Sequence, residues 1–248
     1  MSSHFIGIDV GTSSTKAILI NQAGEVVDTV APTYDFSTPR PLWAESDPEH
    51  WWDATTEALR ALAEKAGPEN IAGIGLTGQM HGLVMLDGAG KVLRPCIMWN
   101  DQRTESQCAA ITEQVGLARV LQLTGNPILP GFTAPKIAWV RENEPEVFAQ
   151  VDKILLPKDY VRYRLTGEFF TDVSDASGMS LLDVANRTWS DEMIAALDIQ
   201  SSWLPEVTES PVASAKISAE GALATGLAAG TPVIAGGGAQ AAQAVGCG

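Results

Sequence analysis

Hydrophobic residues open the chain in short runs broken by turn residues, which is the spacing of strands. Ile6 to Val10, carrying Asp9, and Ala17 to Ile20 flank Gly11, the hydroxyl residues Thr12 to Thr15, and Lys16, predicting an antiparallel hairpin. Asn21 to Gly24 reads as the next turn and Glu25 to Ala31 as a third antiparallel strand. Pro32, Pro39 and Pro41 make residues 32–45 irregular. The period then changes. Ser46-Asp-Pro-Glu49 starts a helix with a capping residue, proline in the first turn and an acidic residue after it. Trp52, Leu59, Leu62, Ala63 and Ala66 give that helix one apolar stripe, and Gly67-Pro68 stops it.

Ile71 to Leu76 is a short buried strand, with Thr77 to Gly82 at its end. Leu83 to Leu86 and Lys91 to Leu93 flank Asp87-Gly88, a hairpin signal, and Trp99 to Arg103 caps a helix reaching about Val115. Farther on, Lys136 to Asn143, Asp159 to Leu165 and Asp191 to Leu197 have helical patterns, and Ile154 to Leu156 that of a strand. Thr171 to Met179, rich in Asp and Ser, reads as loop, and residues 201–230 are small and Ala/Gly-rich. Thr231 to Ala235 is a strand running into Gly236-Gly-Gly238, and Ala239 to Val245 begins a helix. Strands and helices in this order predict α/β layers.

With 248 residues the chain can bury a proper core in one large or two modest domains. A formal charge of −14 argues against nucleic-acid or anionic-membrane partners and requires any phosphate site to be local, helped by a metal. Cys96, Cys108 and Cys247 have no metal-ligand spacing and fit a reducing compartment. The apolar start is interrupted by Asp9 and lacks a basic flank, unlike a signal peptide, so the expected location is cytoplasmic.

The first turn is the first candidate for chemistry. Backbone N–H groups, the Thr12, Ser13 and Ser14 hydroxyls and Lys16 form a concavity suited to phosphate oxygens. Asp9 at the strand end is a hard oxygen ligand for Mg²⁺. An ordinary polar hairpin would present the same residues, and the Walker spacing is absent. Gly236-Gly-Gly-Ala-Gln-Ala241 satisfies G-x-G-x-x-A after a strand, but the acidic residue expected beyond it has no room before Gly248. It remains an anion-binding turn at a helix start. His81 is either a histidine satisfied within the fold or a group that hydrogen-bonds a polyol, with Met80 beside it. Asp101 and Arg103 are either a helix cap and its neighbour or polar groups beside the Trp99 wall of a sugar site.

These stretches together resemble the FGGY carbohydrate kinase family. Ile6 to Lys16 is similar to its first phosphate motif, and Gly131-Phe-Thr-Ala-Pro-Lys-Ile-Ala-Trp-Val-Arg-Glu-Asn143 fits its signature of Lys, Trp three residues on, and a Glu-Asn end. Within the family, Gly78-Gln-Met-His-Gly82 with Trp99-Asn-Asp-Gln-Arg103 resembles the members acting on D-xylulose. The resemblance implies a ribonuclease H-like fold of the actin/hexokinase type, with a mixed five-stranded sheet and flanking helices. It implies transfer of the γ-phosphoryl of ATP to the 5-hydroxyl of D-xylulose, and often a homodimer. Asp9 would serve Mg²⁺; Thr12, Ser13, Ser14 and Lys16 would line the phosphate path; Met80, His81, Asp101, Arg103 and Gln240 would serve the sugar.

Two departures qualify it. Where the family carries Gly-Gly-Gly-Asp, this chain has Gly236-Gly-Gly-Ala239, so the residue expected to accept the hydroxyl proton is a methyl group. Gln243 stands where the family has glycine, and is expected to crowd the helix packing. The chain also ends just inside this motif, where family members continue into a second domain. Residues 1–248 are therefore expected to be the N-terminal domain, and inactive as they stand. A non-catalytic sugar-binding module, or a kinase for ribulose, glycerol or a related polyol, is the alternative.

Overall fold

The structure, a computed structural model, describes residues 3–248. Strand β1 (His4–Val10) pairs antiparallel with β2 (Thr15–Asn21), and β2 pairs antiparallel with β3 (Val26–Val30). Helix α1 (Pro48–Ala66) crosses to β4 (Ile71–Gly78), which lies parallel to β1. Helices α2 (Glu105–Val115), α3 (Thr133–Asn143) and α4 (Pro157–Thr166) follow. The chain returns to the sheet with β5 (Ala213–Lys216), β6 (Pro232–Ile234) and β7 (Gly237–Gly238), and ends in α5 (Ala239–Cys247). The order across the sheet is β5-β6-β4-β1-β2-β3, with β7 also paired to β4.

The expected mixed sheet flanked by helices is present, but it holds seven strands rather than five. The additions are β5, inside the small-residue stretch, and two-residue β7, which reads only as a glycine turn. Neither has enough apolar alternation to announce a strand.

Strand period places Ile6, Ile8 and Val10 on one face of the sheet, with Ala17 and Leu19, and Ile74 and Leu76, beside them. Helix α1 covers that face with Trp51, Leu59 and Leu62, and α4 with Tyr160, Val161 and Leu165. The sequence signals at the ends of α1 work as read: Asp47 accepts the Glu49 N–H at 3.0 Å, Pro48 is first in the helix, and the Gly67 N–H returns to the Ala63 carbonyl. A second core lies outside the sheet, where Leu83, Met85 and Ile97 meet Ile111, Ile137, Val140 and Ile154.

The hairpin expected around Asp87-Gly88 forms: the Asp87 N–H donates to the Lys91 carbonyl and the Leu93 N–H to the Met85 carbonyl, each at 2.9 Å, and Leu86 bridges Val92. Its buried first strand, Val84–Leu86, also pairs with Lys153–Leu155, a partner that arrives from elsewhere in the chain. Two local expectations fail. Thr171 to Met179 is ordered rather than loop: strand Phe170–Asp172 leads into a short helix, Val173–Ala176, capped by Asp172, and then a 3₁₀ turn. The helix expected from Trp99 begins only at Glu105.

Leu62 is fully buried between α1 and the sheet. Leu62→Ala should lower unfolding free energy by about 2–5 kcal/mol. Urea titration should show this as a lower midpoint with an unchanged slope; an unchanged midpoint would mean that this contact does not hold the layers together.

Candidate functional site

The turn between β1 and β2 is braced from outside. The Gly11 carbonyl accepts the Tyr34 hydroxyl at 2.8 Å and the Gln79 amide at 2.9 Å, and the Gly11 N–H donates to the Ser14 carbonyl at 2.9 Å. The Trp99 indole donates to the Thr12 hydroxyl at 3.1 Å. Ser13 is exposed at the tip and Ser14 half-buried, while Thr15 is buried and turned toward Tyr34. Asp9 and Lys16 stand opposite each other in the β1–β2 ladder. Burial raises the Asp9 carboxyl above its ordinary pKa, and Lys16 opposes this.

At the same end of the sheet, Gly237 and Gly238 run parallel to Thr77 and Gly78. The Thr77 hydroxyl donates to the Gly237 carbonyl at 2.7 Å. Gly236 has φ +89°, and a side chain there would lie 2.3 Å from the Leu76 carbonyl oxygen, so only glycine fits the entry to this turn. A cleft of about 570 Å³ lies over the sheet beside the glycine turn, lined by Asp9, Lys16, Ile18, Thr77, Gly237 and Ala242 among others, and it does not include Gly11 to Ser14. Met80 packs on Gly238; its sulfur lies 3.1 Å from where a Cβ would sit. Ala239 is the first residue of α5 and half-buried, while Gln240 and Gln243 are exposed. Gln243 therefore does not crowd the helix packing as expected.

His81 sits beyond β4 with φ +68°, unusual for a residue with a side chain. Its Nδ1 is 2.8 Å from the Gly178 carbonyl, which can only accept, so Nδ1 carries the hydrogen. Nε2 is then the bare acceptor of the neutral ring. Burial lowers the His81 pKa, the Gly178 bond opposes this and Lys136 adds to it. The ring stands edge-to-face on Phe132, with centroids 4.7 Å apart.

Asp101 and Arg103 turn out differently from the sugar contacts expected of them. Asp101 is fully buried, accepts the Ala44 N–H at 2.7 Å, and is chelated by Arg103. Arg103 is also paired with Glu45 at 2.8 Å and stacked on the Trp43 ring, its side chain 1% exposed. Both side chains are spent on holding the 43–45 segment to the start of α2, and neither is free to meet a ligand.

Beside Gly238 lies a buried charge cluster that sequence reading passed over as loop. The Lys158 ammonium is within salt-bridge distance of Asp159, Asp172 and Asp175, and all four side chains are fully buried. Ser174 ties the cluster to the glycine turn, donating to Asp172 and accepting the Gly238 N–H at 3.2 Å. One cation cannot neutralise three carboxylates, so the cluster holds a proton. Burial, with Asp159 and Asp172 nearby, pushes Asp175 up to about 8 despite Lys158. Lys158, Ser174 and Ser210 hold Asp172 below the ordinary carboxylate value against its burial. Asp172 two residues before Ser174 is a capping pattern that could have been read from sequence.

The description "FGGY family of carbohydrate kinases, N-terminal domain" matches residues 4–246. The chain belongs to the FGGY family of carbohydrate kinases. It is 48% identical over 244 residues to the xylulose kinase of Escherichia coli (strain K12), covering 98% of this chain and 50% of that one. To the xylulose kinase of Lactococcus lactis it is 43% identical, covering 99% of this chain and 49% of the other. The solved xylulose kinase of Rhodospirillum rubrum superposes with a TM-score of 0.95 at 33% identity, covering 99% of this chain and 51% of that one. Plasmodium falciparum glycerol kinase with ADP shares the fold, at a TM-score of 0.91 and 23% identity over 99% of this chain and 50% of its own. The actin/hexokinase-type α/β fold expected of the family is therefore the fold found. The FGGY chain spans about half the length of the curated relatives it matches.

Asp175 gives a test of the cluster. Its pKa is raised from 3.8 to about 8, so between those values the folded chain keeps a proton that the unfolded chain has released. That stabilising contribution is complete below the lower value and lost as pH rises through the upper one. Asp175→Asn carries no such proton. Its urea midpoint relative to the parent should climb from about pH 5 to about pH 8 and then level. A difference independent of pH would mean that Asp175 titrates normally.

Proposed function

We propose that this chain is the sugar- and phosphate-facing half of a kinase transferring the γ-phosphoryl of ATP to the 5-hydroxyl of D-xylulose. The observation that carries the reading is the convergence at one sheet end of the braced Gly11–Ser14 turn, the Asp9/Lys16 pair, Met80 and position 239. The Met80-His81 pair and the 48% identity to a xylulose kinase favour a ketopentose over glycerol.

The donor set fits a nucleotide phosphate with Mg²⁺. Thr12, Ser13, Ser14 and Lys16 supply donors and one cation to anionic oxygens. No group of three His, Cys, Asp or Glu is placed to hold a metal among the described residues, so Asp9 would hold Mg²⁺ together with phosphate oxygens and water. Bound there, Mg·ATP supplies the phosphoryl group and offsets its charge. His81, uncharged and with Nε2 bare, accepts a hydrogen bond from a sugar hydroxyl, and Met80 gives the sugar an apolar wall against Gly238.

No group at position 239 takes the proton from the attacking hydroxyl. General-base assistance contributes typically 10²–10⁴-fold. Fused to the second half of a xylulose kinase relative, the present sequence should turn over D-xylulose about that much more slowly than its Ala239→Asp counterpart. Equal rates would place the base elsewhere.

Ala239 also favours a second reading, a sugar-binding module without catalysis. Calorimetry with D-xylulose, L-ribulose and glycerol, then with Mg·ATP, separates the two. The kinase reading expects D-xylulose selectivity, equal in the parent and Ala239→Asp, together with nucleotide binding in the fused protein. Sugar binding without any nucleotide binding there supports the module, and preference for another polyol removes D-xylulose from the proposal.

A further inference from the structure

The signature Lys136 is fully buried, and among the described residues its ammonium makes no ion pair. It donates instead to two backbone carbonyls, His81 at 2.8 Å and Gly131 at 2.7 Å. The Thr133 hydroxyl reaches the same His81 carbonyl at 3.1 Å. That carbonyl belongs to the residue with φ +68°, between Met80 and Gly82, and the ring of the same residue leans on Phe132 of the segment carrying Lys136. A desolvated cation is costly to bury, and a methionine of similar length would fill the space without that cost.

We propose that Lys136 is the positioning residue of the Met80-His81 turn: its ammonium clamps the His81 carbonyl, fixes the left-handed backbone there, and so holds the imidazole against Gly178. Thr133 is the neutral half of the same clamp. Three features of the structure fit together only in this arrangement. One residue meets the cation with its main-chain carbonyl and Gly178 with its side chain, so it is held at both. The Nδ1–H bond to Gly178 leaves no rotation for the ring, and a side chain at 178 would lie 2.5 Å from Nδ1. The cation beneath opposes a second positive charge on the imidazole. Burial, with Arg103 adding to it, brings Lys136 down to about 7 against the opposing pull of Cys96, Asp101 and Cys108.

The role assigned to the turn rests on the sugar-kinase reading; the clamp itself does not. The experiment is NMR titration of the histidine ring protons in this chain, with His81→Gln identifying the His81 signal among the three histidines. Lys136→Met should raise the His81 pKa by roughly half a unit or more, because a nearby cation is removed. Lys136→Gln, which keeps a donor without charge, should raise it likewise. Thr133→Val should leave the titration in place while shifting the amide resonances of residues 81 and 82. If Lys136→Met does not fold, the Lys136→Gln and Thr133→Val pair decides. A folded Lys136 variant in which His81 titrates as in the parent overturns the proposal. D-Xylulose added to the same samples should bind the Lys136 variants roughly tenfold more weakly than the parent, since displacement of a positioned group is felt directly in the site. Raised His81 titration with no sugar response in the parent, nor in the parent fused to the second half of a xylulose kinase relative, would uphold the clamp and sink the sugar reading.

Discussion

One row of backbone pairing governs this molecule. Val10, Gly78 and Gly238 lie side by side across β1, β4 and β7, and in the row before them stand Lys16, Asp9, Thr77 and Gly237. The parallel register of β1 with β4 brings their carboxyl ends level, so the turns that follow must leave the sheet at the same place. Parallel strands that end together open a crevice there, and it is in such crevices that ligands meet α/β sheets. The phosphate-type turn, the Met80-His81 turn and position 239 are neighbours for this reason, although they lie far apart in sequence.

The acidic chain keeps its important cations inside. Lys136 and Lys158 are fully buried, and the Arg103 side chain nearly so. Each is used differently. Arg103 is neutralised by two carboxylates and laid on tryptophan; Lys158 is outnumbered by acids; Lys136 has only carbonyls. A charge in low dielectric acts strongly on its neighbours, so the two lysines influence which groups beside them carry protons: His81 near Lys136, and Asp172 and Asp175 near Lys158. The two lysines lie next to two of these turns, one at the His81 carbonyl and one in the cluster that Ser174 ties to Gly238.

Ala239 leaves this scaffold intact. The glycine entry to α5, its ties to Thr77 and Ser174, and the Met80 contact all form with alanine at the helix start. The geometry of this turn is thus set by backbone hydrogen bonds and by the glycines, not by the side chain at 239.

The sequence by itself determined the elements whose signals are local. Strand period, the Asp47-Pro48 start and Gly67 stop of α1, and the polar turn after Asp9 depend on neighbours a few residues away, and they formed as read. The motif residues Asp9, Met80 and His81 were legible because glycines and turn residues mark them in the chain. Only the tertiary structure decided what those residues could do. It took Asp101 and Arg103 out of the site by giving them Glu45, Ala44 and Trp43 as partners from a distant segment. It gave Val84–Leu86 a partner from residues 153–155 and turned an Asp/Ser-rich loop into a capped helix over a buried lysine. Pairing energies, desolvation and ion-pair choice depend on what arrives from elsewhere in the chain, and no local pattern records that.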